Sequence, residues 1–67
     1  MIDIIVNGDK KSVATDTTVD ALIASLNLSS RAVIVEVSGE VLRKDQYAAT
    51  TLRAGDKIEL IQFVGGG

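Results

Sequence analysis

Residues 57–64 read KIELIQFV, and the assignment of the whole chain turns on them. Ile58, Leu60 and Val64 alternate with Lys57, Glu59, Ile61 and Phe63, a period of two that describes a β-strand with two chemically different faces. Gly55-Asp56 supplies the turn that leads into it. Only Gly65, Gly66 and Gly67 follow. Glycine loses more backbone entropy on ordering than any other residue, so three in a row neither pack a core nor hold a strand. The expected organisation is one domain over residues 1–64 and a flexible glycine tail over residues 65–67.

Working back from that strand, residues 2–14 (IDIIVNGDKKSVA) hold an apolar run, then Asn7-Gly8, then a more polar run. Asn-Gly readily takes the positive φ angles of a tight hairpin. The polar second arm predicts an edge strand, on which Lys10 and Lys11 discourage further pairing. In residues 15–28 (TDTTVDALIASLNL), Val19, Leu22, Ile23 and Leu26 fall at i, i+3, i+4 and i+7, the stripe of an amphipathic helix. Thr17 or Thr18 caps its start, and Asp20 suits the helix dipole in the first turn. Residues 32–37 (AVIVEV) are rich in β-branched side chains, Ser38-Gly39 marks a turn, and residues 40–42 (EVL) complete a second hairpin. Residues 43–50 (RKDQYAAT) lack amphipathic order and read as a connection with a helical turn, after which Leu52 anchors the core.

The resulting order is strand, strand, helix, strand, strand, strand. It predicts an α+β, β-grasp (ubiquitin-like) fold, a mixed sheet of four to five strands packed on one main helix. Because the first and last strands carry the continuous apolar runs, they are expected side by side in the middle of the sheet, parallel and covered by the helix.

Composition narrows the chemistry. Sixty-seven residues make one domain, and 46% apolar content with a single Phe and a single Tyr predicts an aliphatic core. Cys and His are absent, which removes disulfides, thiolate catalysis and the usual zinc ligands. A net charge of −2 argues against a nucleic-acid partner. The longest apolar runs, at residues 21–24 and 32–35, are too short to cross a bilayer, and the N-terminus lacks the features of a signal peptide, so the expected location is cytoplasmic. Asp16 and Asp20 are four apart near a helix start, where capping explains acids better than general acid–base work. Gly8, Gly39 and Gly55 each stand alone in a turn and make no phosphate-binding loop. The chain is therefore not read as an enzyme.

Four stretches carry a resemblance: the Asn7-Gly8 hairpin, the helix in residues 18–28 (TVDALIASLNL), residues 35–47 (VEVSGEVLRKDQY), and residues 52–66 (LRAGDKIELIQFVGG). Together with the short length, they make the chain resemble the ThiS family of ubiquitin-like sulfur carriers of thiamine biosynthesis. The resemblance implies that an adenylating, ThiF-type enzyme uses ATP and magnesium to convert the carboxylate of Gly67 to an acyl-adenylate. Sulfur from a donor protein then displaces AMP to give a thiocarboxylate, which a thiazole synthase of ThiG type consumes with a sugar phosphate and an amino-acid-derived imine. On this reading the chain binds no cofactor itself. It is a protein co-substrate, and a monomer when alone. Gly65 and Gly66 thread the partner's channel, and three residues reach about 10 Å at roughly 3.3 Å each. The family minimum is two glycines, and here there are three.

The alternation puts Ile61 and Phe63 on an outward face, which Ile5 on the first strand extends; with Val64, next to the tail in sequence, they are the expected partner-binding residues. Ile61 has two readings, outward docking group or core residue of a doubly covered strand. Arg43, Lys44 and Arg53 offer a basic rim. Competing assignments are the small subunit of molybdopterin synthase, which is longer between helix and last strand, carriers for tRNA thiolation or cysteine synthesis, a protein modifier joined through Gly67, and a β-grasp interaction module with an idle tail.

Overall fold

Asn7 and Gly8 have φ angles of 49° and 86°, the two left-handed positions of a tight hairpin turn. They fold β1 (Ile2–Val6) back onto β2 (Asp9–Val13), with Ile2 opposite Val13 and Val6 opposite Asp9. The computed structural model describes residues 1–62; Phe63, Val64 and the three terminal glycines lie outside the described residues. After β2 the chain enters α1 (Val19–Ser25), then a 3₁₀ turn at Ser30–Ala32, β3 (Val33–Val37), β4 (Glu40–Val41), a second 3₁₀ turn at Lys44–Gln46, and β5 (Lys57–Gln62).

These strands form a single five-stranded sheet in the order β2-β1-β5-β3-β4. β1 and β5 run parallel, with Ile5 beside Lys57 and Val6 beside Ile58, while β3 is antiparallel to β5 over Val33 to Val37. One helix on a five-stranded mixed sheet is the β-grasp arrangement anticipated from the element order. β2, with Lys10 and Lys11, is an edge strand.

Alternation fixes which side chains meet the helix. Ile4, Val33, Val35 and Ile58 are each 0–1% exposed and face Val19, Leu22 and Ile23, which are equally buried on α1. Leu26, the last residue of the expected stripe, is the C-cap and only half-buried. Thr18 is the N-cap: its hydroxyl accepts the Ala21 N–H at 3.1 Å, and its backbone bridges Thr51. Helix and sheet cover one face of the central strands only, since Ile61 on β5 is 48% exposed.

The core is not wholly aliphatic. Tyr47, at the end of the second 3₁₀ turn, is 2% exposed, and its hydroxyl donates to the Val33 carbonyl at 2.9 Å. That carbonyl points to the side of β3 where the two-residue β4 does not reach, so the phenol takes the place of a missing strand partner. Leu52, 2% exposed, packs in the same cluster.

Candidate functional site

β5 is the last element of the described residues, and it is held differently on its two flanks. On one flank β3 pairs with it along its full length, from Val37 opposite Ile58 to Val33 opposite Gln62. On the other flank β1 stops early. The Ile5 N–H donates to the Asp56 carbonyl and the Asn7 N–H to the Ile58 carbonyl, both at 2.9 Å, and there the main-chain ladder ends because Asn7 enters the hairpin turn.

The next rung is made by a side chain. Asn7 Oδ1 accepts the Leu60 N–H at 2.8 Å, and Asn7 Nδ2 donates to the Leu60 carbonyl at 3.4 Å. A primary amide offers an acceptor and a donor on one planar group, the same pair that a strand residue presents to its neighbour. The two partners are 53 positions apart in sequence. Reading Asn7 only as a turn former misses this contact, and nothing in the local sequence signals it.

The sheet face away from the helix is open. Lys57, Glu59 and Ile61 of β5 are exposed on it, and Ile34 and Glu36 of β3 stand directly opposite Ile61 and Glu59. Ile34 and Ile61 thus form an apolar pair near the strand end, followed by two carboxylates facing each other. Ile5 is half-buried at the level of Lys57, two outward positions away from Ile61, or about 13 Å at roughly 3.3 Å per residue. Ile34, rather than Ile5, is therefore the side chain adjacent to Ile61. Phe63, Val64, Gly65, Gly66 and Gly67 lie outside the described residues.

The basic residues are dispersed among local tasks. The Arg43 guanidinium pairs with Asp45 at 2.6 Å, with both side chains well exposed, an arrangement worth little in stability. Lys44 Nζ donates to the main-chain carbonyls of Ser30 and Arg31, tying one 3₁₀ turn to the other. Arg53 closes a turn in which its N–H donates to Asp56 Oδ2 at 2.8 Å.

No constellation of catalytic type is assembled among the described residues. Asp16 and Asp20 are both exposed, Asp16 in a left-handed turn conformation with φ of 74° and Asp20 in the first turn of α1. Among the described residues no group of three His, Cys, Asp or Glu side chains converges as metal ligands would, and no helix is long and apolar enough to cross a membrane.

Comparison with known proteins bears on this geometry. The sulfur carrier protein ThiS of Bacillus subtilis is 40% identical over 62 residues, covering 91% of this chain and 94% of that protein. Thiazole synthases of Paramagnetospirillum magneticum and Magnetococcus marinus are 38% and 33% identical over 64 and 61 residues, or 96% and 91% of this chain. This chain spans only about a fifth of the length of those two relatives, 20% and 19%. The crystal structure of the thiamine biosynthesis protein ThiS from Geobacter metallireducens superposes with a TM-score of 0.83 at 36% identity, covering 98% of this chain and all of that one. Its solution structure gives 0.81 at the same identity. The ThiS family itself matches residues 4–67, from the first core residue of β1 through the last glycine, and on that match the chain belongs to the ThiS family.

Proposed function

We propose that this protein is a sulfur carrier of thiamine biosynthesis, acting through the main-chain carboxylate of Gly67. It is a co-substrate and not itself a catalyst. The observation that carries the reading is end-to-end likeness to a sulfur carrier of nearly the same length, 91% of this chain against 94% of the Bacillus subtilis protein. The fold supports it physically: the last strand lies inside the sheet, held by β3 on one side and by β1 and Asn7 on the other, so the chain leaves from a fixed point.

The chemistry follows from what a carboxylate lacks. Its carbon resists nucleophiles and its oxygen is a poor leaving group, so a partner enzyme with ATP and magnesium first joins it to AMP and releases pyrophosphate. Sulfur at the sulfide level, brought by a donor protein, then attacks the carbonyl carbon; the bond to AMP breaks, AMP departs, and a thiocarboxylate remains. Glycines at 65–67 suit this, since a backbone without Cβ atoms passes a narrow channel and adopts whatever φ and ψ it imposes. Neither ATP nor metal is held by the carrier. The work is placed in the cytoplasm.

A thiazole synthase is the proposed acceptor. What supports it is the pair of relatives of that name, in which a segment like this chain belongs to the same polypeptide as the rest of the synthase. The docking surface for the adenylating enzyme is proposed on the open sheet face at Ile61, continued by Phe63 and Val64, with Ile5 further along.

Intact mass measured after incubation with an adenylating enzyme, ATP, magnesium and sulfide tests the reading. The full chain is expected to gain the mass of one sulfur in place of one oxygen, and a chain lacking Gly66 and Gly67 is expected to gain nothing. No gain by the full chain, with the enzyme active on another carrier, sinks the proposal.

A further inference from the structure

β1 and β5 are parallel neighbours of unequal reach. β1 leaves the sheet at Val6, level with Ile58, while β5 continues to Gln62. Over its last residues, then, β5 has main-chain pairing on the β3 side only. The carbonyl of Ile58 and both polar groups of Leu60 point to the side that β1 vacates, the first taken by the Asn7 N–H and the other two by the Asn7 side chain. Without that amide, Leu60 would have water as its partner on this flank, and a strand end paired on one side frays more readily than one paired on both.

We propose that Asn7 is a positioning residue: its amide clamps Leu60 and so sets the line along which β5 carries the chain out of the sheet toward the reacting end. The inference rests on the carrier reading above and deepens it. Asn7 is suited to the task in two ways at once. Its φ of 49° is a left-handed conformation that Asn tolerates better than most residues, and that conformation places its short side chain over β5, where both amide atoms find Leu60. Asn7 touches no reacting atom. Its effect is on the fraction of docked molecules whose chain end enters the partner's site in a productive line, which is an orientation effect and not one of docking strength.

That distinction sets the test. Asn7→Gly keeps the turn, because Gly adopts positive φ freely, and removes only the clamp. Asn7→Asp keeps the acceptor for the Leu60 N–H and loses the donor. Amide hydrogen exchange is followed residue by residue with the rest of β3 and β5 as internal reference, and sulfur loading by an adenylating enzyme is measured with the carrier as varied substrate. In Asn7→Gly the Leu60 amide is expected to exchange about five- to tenfold faster than in the original chain, the worth of one hydrogen bond. The loading kcat is expected to fall by a similar factor, with KM unchanged. Asn7→Asp is expected to lie between the two in both readouts.

Leu60 exchange that is the same in Asn7→Gly and the original chain overturns the clamp. Faster exchange with unaltered kcat overturns the positioning role, and a rise in KM alone assigns Asn7 to docking instead. If the original chain is not loaded at all, the carrier reading fails and the positioning role falls with it, a result visible before any variant is compared.

Discussion

Tyr47 and Ile61 are the two large side chains whose surroundings most exceed what their neighbours in sequence disclose. Residues 43–50 have no helical or strand period, so Tyr47 reads as part of a connection, yet it is 2% exposed with its hydroxyl on the Val33 carbonyl. The signal that places it is three-dimensional: β4 ends at Val41, Leu42 gives one more bond to the Val35 carbonyl, and Val33 is left for the phenol. Tyr47→Phe keeps the ring and strands that carbonyl, so it is expected to destabilise the fold by about 1–2 kcal/mol, seen as a lower urea midpoint with an unchanged slope. Ile61 is the opposite case, because alternation alone leaves it open between core and docking surface. At 48% exposed it contributes little to folding, and its outward partner is Ile34. Ile61→Asp, which adds a third carboxylate beside Glu36 and Glu59, is expected to lower stability by only about 1–2 kcal/mol, while raising the KM of the carrier for the proposed adenylating enzyme. A large loss of stability with no change in KM would make Ile61 a core residue after all.

At the level of elements, the sequence was legible wherever a local rule applied. Asn7-Gly8 and Ser38-Gly39 both adopt paired positive φ angles and both close hairpins; Asn and Gly enter that region cheaply, and Ser38 is carried there beside Gly39. The helix stripe of Val19, Leu22 and Ile23 is buried to within 1%. Which of two adjacent threonines caps the helix was not legible, since Thr17 and Thr18 are equivalent as residue types. Structure separates them: the Thr17 hydroxyl turns back to the Ala14 carbonyl at 2.6 Å, and Thr18 accepts from Ala21. With only seven residues, α1 is too short to persist by itself and takes its stability from the sheet, so weakening its cap weakens the whole domain. Thr18→Ala is expected to lower stability by about 1 kcal/mol, and Thr18→Ser to retain most of it, as judged by thermal unfolding at equal concentration. Equal losses in the two variants would show that the methyl group, and not the hydroxyl, is what matters at this position.

On the scale of the molecule, the pairing of the first strand with the last ties everything between them into one unit. β1 and β5 lie side by side, and the contact that extends their ladder, Asn7 to Leu60, spans nearly the whole sequence. Continuous apolar runs at both ends made the pairing predictable, but the side-chain rung was not, because it depends on how far each strand runs before turning. The same topology leaves no subset of strands with a complete core, so unfolding should be a single transition. Total stability for 67 residues is expected near 3–10 kcal/mol from per-residue averages. A change such as Leu22→Ala, at a position 1% exposed, removes about 2–5 kcal/mol of this and is expected to leave a large part of the population unfolded at moderate temperature. Tyr47 is the only tyrosine and there is no tryptophan, which makes its fluorescence a reporter of one place, the contact between residues 44–47 and β3. Far-UV circular dichroism reports the backbone as a whole. If the domain is one cooperative unit, the two urea transitions coincide in the original chain and shift together in Leu22→Ala. A Tyr47 transition that precedes the backbone transition would mean that the segment between β4 and β5 opens first, and that the sheet survives without the phenol holding its Val33 edge.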